Sequence, residues 1–110
     1  MAVLGLYIVW FAPLPFVQGW WLRGDGNRAD HFRLRHRIGD WLVMSGQLEG
    51  RTRAEIVAML GPPTPTDHFA DRDMVYALGI ERGFLAIDSE WLILDFSEQG
   101  ICMAAEIVTD

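Results

Sequence analysis

The chain has 110 residues, enough for one domain with a single small core. Its formal net charge is −6, and all nine basic residues are Arg, five of them at Arg23, Arg28, Arg33, Arg35 and Arg37. From Ile38 onward four Arg face thirteen Asp and Glu, a balance that excludes nucleic acid as the partner of this part, because phosphate binding needs a basic face. Cys102 is the only cysteine, which excludes an intrachain disulfide and a multi-cysteine zinc site. Its apolar neighbours predict a buried strand thiol.

Residues 1–22, MAVLGLYIVWFAPLPFVQGWWL, carry no charged side chain. A continuous helix of this length crosses a hydrocarbon core of about 30 Å, so the segment is expected to be a membrane anchor, with Trp20 and Trp21 in an interfacial belt beside Arg23. Pro13 and Pro15 would bend it. The other expectation is an apolar helix buried in a partner protein. A cleaved signal is disfavoured, since the stretch has neither a basic n-region nor a small-x-small site. The five Arg that follow it place the domain on the cytoplasmic side by the positive-inside rule.

A turn-rich linker over 23–28 leads into a globular domain over 29–110. A helix is expected from about Ala29 to Met44, with Phe32, Leu34, Ile38, Trp41 and Leu42 approximating one apolar face and Arg33, Arg35 and Arg37 projecting elsewhere. Ser45 and Gly46 end it. The stretch Gly50–Pro63, GRTRAEIVAMLGPP, writes a second helix in full. Thr52 is its N-cap and Glu55 the capping-box partner; Ile56, Met59 and Leu60 share a face; Gly61 suits a left-handed C′ position, and Pro62 and Pro63 stop it.

A polar loop, Thr64 to Asp73, precedes three strands: Met74–Leu78, Glu90–Phe96 and Gly100–Val108. The short connection Ser97–Gly100 makes the last two an antiparallel hairpin. Alternation puts Leu92, Leu94 and Phe96 on one side of the middle strand, toward the helices, and Trp91, Ile93 and Asp95 on the other. In the last strand Ile101, Met103, Ala105 and Ile107 are expected to face the helices as well, with Cys102, Ala104, Glu106 and Val108 opposite. The expected class is α+β: two helices packed on a three-stranded antiparallel sheet in the order α-α-β-β-β, preceded by the apolar membrane segment.

With these elements placed, the chain resembles the SmpA/OmlA (BamE-like) family of small outer-membrane assembly lipoproteins. The residues that carry the resemblance are Gly50-Arg51-Thr52-Arg53, Ile56, Leu60-Gly61 and Pro63, then Val75 and Tyr76, then Leu94, Phe96 and Gly100, over roughly residues 47–110. The resemblance implies a protein-binding module without catalysis at a bacterial envelope membrane. It also places the domain on the opposite side of the membrane from the charge rule. The lipoprotein type carries an acylated Cys at the end of its signal, and this chain has none there, so an inner-membrane anchor is expected instead. The expected work is assembly or stabilisation of envelope proteins; the alternative is a small accessory subunit of another membrane complex.

No cofactor, metal, nucleic acid or small-molecule substrate is expected. His68, Asp71 and Asp73, with Asp67, match no standard ligand spacing, and His31 and His36 stand off a common helix face. Asp88 and Glu90 flank Ser89 as a conceivable acid–base pair, but they read more simply as charges at a strand entrance that face solvent or pair with Arg82. The expected partner-binding residues are Arg51 and Arg53, cations at the positive end of a helix, and the aromatic residues Tyr76, Phe84 and Trp91. Core packing of at least two of these aromatics is the competing expectation.

Overall fold

The computed structural model describes residues 12–24, 33–80, 82 and 88–110. Among them are three helices, α1 (Gln18–Gly24), α2 (Leu34–Ser45) and α3 (Arg53–Leu60), and three strands, β1 (Met74–Ile80), β2 (Ser89–Phe96) and β3 (Cys102–Thr109). The strands form one antiparallel sheet in the order β1-β2-β3. The α+β class and the sheet agree with the expectation from sequence.

The helix α3 forms for the reasons its sequence gives. Glu55 N–H donates to Thr52 Oγ1 (3.1 Å) and Thr52 N–H donates back to Glu55 Oε1 (3.0 Å), a complete capping box. These bonds hold the Glu55 carboxyl below its ordinary range. Gly61 has φ +81 but ψ −175, a fully extended glycine-only geometry in place of the left-handed cap expected. Ile56 and Leu60 are buried, with Met59 partly so, in one cluster with Leu92 and Leu94.

The N-terminal stretch departs from the expectation. Among the described residues no helix is long and apolar enough to cross a membrane. Residues 12–22 belong instead to the domain. Trp21 is fully buried, packs edge-on against Tyr76 at 6.0 Å, and lies under the Arg35 guanidinium at 4.3 Å. Leu14 and Phe16 pack on the same core. The reason is that α3 ends with carbonyls that need donors. Gly61 N–H takes that of Val57 (2.8 Å), the Gln18 amide takes those of Ala58 (2.7 Å) and Met59 (3.1 Å), and Trp21 Nε1 takes that of Leu60 (2.9 Å). Residues 12–22, assigned from sequence to the anchor, thus pack with the domain. Residues 1–11, most of the 23–28 linker, and the expected helical turn at 29–32 lie outside the described residues.

The expectation that the Arg side chains of α2 project away from the core is also corrected. Arg35 and Arg37 are each only 7% exposed. Arg35 donates to the carbonyls of Trp21 (2.9 Å) and Ala77 (3.0 Å), and Arg37 to that of Ala12 (2.8 Å), while Leu14 N–H returns a bond to Arg37 O (3.0 Å). Trp41, assigned to the apolar face, is 37% exposed. Ile38 and Leu42 do point inward, and Gly46, in the left-handed conformation, ends the helix.

The faces of β2 divide as expected. Leu92 and Leu94 join the helices, while Trp91 and Ile93 form a second cluster with Val75, Phe69, Ala77 and Val108. The loop between α3 and β1 lays Phe69 over that face, edge-on to Trp91 at 5.7 Å. On β3 the alternation is broken. Asp95 pairs with Ala104 and Phe96 with Cys102, so Met103 is an extra, bulged residue. Cys102 enters the core beside Ala105 and Ile107, and Met103, expected on that face, is 61% exposed.

Candidate functional site

A second bulge, on β1, builds the main polar cluster. Ala77 pairs with Trp91 and Gly79 with Glu90, leaving Leu78 extra and fully buried. Gly79 adopts φ +136, and a Cβ there would lie 2.6 Å from His36 Cε1. The absent side chain makes room for the His36 ring, whose Nε2 is 2.7 Å from Ile80 O and 3.9 Å from Glu90 Oε2. Arg82 grips Asp40 with two bonds (2.6 and 3.0 Å) and Glu90 with its Nε, Nη2 and backbone N–H (2.8–3.2 Å). Burial raises the Glu90 pKa, but the bonds and charge of Arg82 outweigh it and hold the carboxyl below its ordinary range.

Glu90 is thus tied to a cation on the inside, whereas Asp88 is exposed. The two carboxylates do not converge. Nor does the polar loop gather a cation site: among the described residues no group of three His, Cys, Asp or Glu is placed to hold a metal. Asp73 Oδ2 accepts from Phe96 N–H (2.7 Å), and His68 leans on Trp91 with its ring 5.7 Å away. His31 lies outside the described residues.

The proposed contact residues separate into inner and outer groups. Tyr76 is fully buried, its hydroxyl bonded to Gly61 O (2.9 Å), and burial pushes its pKa up to about 12. Trp91 is 7% exposed and donates to Asp110 Oδ2 (3.1 Å). Both are corrected from contact residues to core residues, because each carries a large apolar body whose one polar atom finds an internal acceptor. Phe84 lies outside the described residues. Arg51 donates to Gln47 O (2.9 Å). Arg53 is exposed and stacks over the Phe96 ring at 4.5 Å.

Two outer features were missed in the sequence. Val17, Trp20 and Leu22 stand exposed on and beside α1, directly after the apolar stretch. On the outer face of the sheet, Arg72 bridges Asp95 (2.6 and 2.9 Å) and Glu106 (2.8 Å), which holds the Asp95 carboxyl below its ordinary range. The loop-to-strand distance in sequence hid this pairing. Comparison with known protein families, with curated proteins and with solved structures finds no match for this chain.

Proposed function

We propose that the chain is a membrane-associated, non-enzymatic protein-binding module of the SmpA/OmlA type, acting as an assembly or stabilising factor in a bacterial envelope complex. The observation that carries this reading is the capped helix α3, with Ile56 and Leu60 seated against Leu92 and Leu94 of the β2–β3 hairpin. Ile56, Leu60 and Leu94 are among the residues that carry the resemblance, which supports the reading.

Membrane association draws support from the sequence of residues 1–11 together with exposed Trp20 and Leu22. Attachment confines the domain to the membrane surface and raises its effective concentration for a partner there.

Affinity purification of the tagged full chain from solubilised membranes tests the reading. Co-purification of barrel-assembly components is the expected result. Recovery of one inner-membrane complex in stoichiometric amount would select the accessory-subunit reading, and recovery of no protein would reject both.

A further inference from the structure

We infer that residues 65–72 form a strap across the outer face of the sheet, hinged at Thr64 and Asp73 and latched by Arg72, which opens while the sheet stays folded. The device is separate from the protein-binding role and does not depend on it.

Both hinges are tied to strand backbone. Thr64 N–H donates to Val75 O (2.9 Å) and its hydroxyl accepts from Ala77 N–H (2.9 Å), while Asp73 Oδ2 accepts from Phe96 N–H (2.7 Å). Between these points, among the described residues, the backbone of 65–72 bonds only within the strap. His68 N–H donates to Thr66 Oγ1 (3.0 Å) and Arg72 N–H to Phe69 O (2.9 Å). The strap therefore holds to the sheet through side chains alone.

Three side chains make that attachment. Phe69 packs on the cluster of Val75, Trp91 and Ile93, edge-on to Trp91. His68 leans on Trp91 and stands 4.0 Å from Asp110. Arg72 forks onto Asp95 and reaches Glu106, the pairing already described. The guanidinium and both carboxylates stay partly in water, so salt screens this latch and each ion pair contributes modestly.

Closure is strained as well. Phe69 has φ +60, in the left-handed region that a bulky side chain rarely adopts, and lifting the strap releases that strain. Weak side-chain links set against backbone strain define a segment that opens locally at far lower cost than the sheet beneath it. Trp91 and Ile93 stay in place, because β2 is bonded to a strand on each side. With the strap lifted, Val75, Trp91 and Ile93 form a bared apolar patch, and the pairing of Arg72 decides whether that patch is covered.

Chymotrypsin reads the open state, since Phe69 must leave the sheet to fill the aromatic pocket of the protease. With the full chain in detergent micelles, mass spectrometry should find a cut after Phe69 well ahead of cuts after Tyr76 or Trp91, which need the sheet itself to unfold. Arg72→Gln should speed the Phe69 cut by about fivefold or more, with the circular dichroism spectrum retained. Asp95→Asn, which keeps the shape of the latch and removes its charge, should act in the same direction. Raising the salt from about 0.05 M to about 1 M should speed the cut about threefold in the wild type and hardly at all in Arg72→Gln, which separates the latch from any effect of salt on the protease. A Phe69 cut that appears only together with cuts after Tyr76 and Trp91, a rate unmoved by both substitutions, or an equal salt response in wild type and variant overturns the inference.

Discussion

Gly79 shows how one residue governs a buried cluster. Its positive φ and the 2.6 Å approach of His36 leave no place for a side chain, and the displaced ring would lose its contact with Ile80 O. Gly79→Ala should therefore destabilise the domain by about 2–3 kcal/mol in urea unfolding, well above the cost of an exposed substitution. Glu90 behaves in the same neighbourhood as a stored charge. Its folded pKa lies below the ordinary value of 4.5, so its stabilisation is complete well above that pH and fades as pH falls through the folded pKa. Glu90→Gln should cost about 2–3 kcal/mol at pH 7, by leaving Arg82 with only Asp40. The gap between variant and wild type should narrow below about pH 4; a gap of constant size would show that Glu90 acts by shape and not by charge. Neither residue advertises this role in sequence, because a lone Gly in a strand and a Glu before a Trp have many ordinary explanations.

At the level of elements, α3 divides into a legible half and a hidden half. Its start was readable because Thr52 and Glu55 are three residues apart and satisfy each other locally. Its end was readable only as a stop, since the donors that complete it, Gln18 and Trp21, come from about 40 residues earlier. The same separation hid the burial of Arg35, bonded to carbonyls 14 and 42 residues away. Thr52→Ala should cost about 1 kcal/mol. Trp21→Ala should cost about 3–5 kcal/mol, because it removes a fully buried indole as well as the bond to Leu60 O. Comparable losses in the two variants would mean that α1 is only loosely attached. On β3, strict alternation misplaced Met103 and Cys102, since a bulge leaves no signature in a run as uniformly apolar as ICMAA.

At the scale of the molecule, the described residues form a sheet covered on one face by helices and on the other by a loop, with residues 12–22 completing the helical side. Two truncations test that arrangement. A chain of residues 12–110 should unfold cooperatively, within a few degrees of the full chain, whereas residues 23–110, cut where the apolar segment ends in sequence, should lack a cooperative transition by calorimetry. Apolar composition suggested an anchor for 1–22 because hydrophobicity alone does not distinguish lipid from protein interior as its destination. For residues 12–22 the burial of Trp21 and the packing of Leu14 and Phe16 on the core give the protein interior as the destination.

The bonds of Arg35 carry a further consequence, and it concerns timing. One guanidinium holds Trp21 O and Ala77 O, and the indole it covers leans on Tyr76. A chain made from its N-terminus cannot assemble this arrangement until β1 has been synthesised. Throughout that interval the stretch containing Trp20, Trp21 and Leu22 has no finished core to enter, and the nascent chain displays it to the ribosome exit, the membrane and any chaperone it meets.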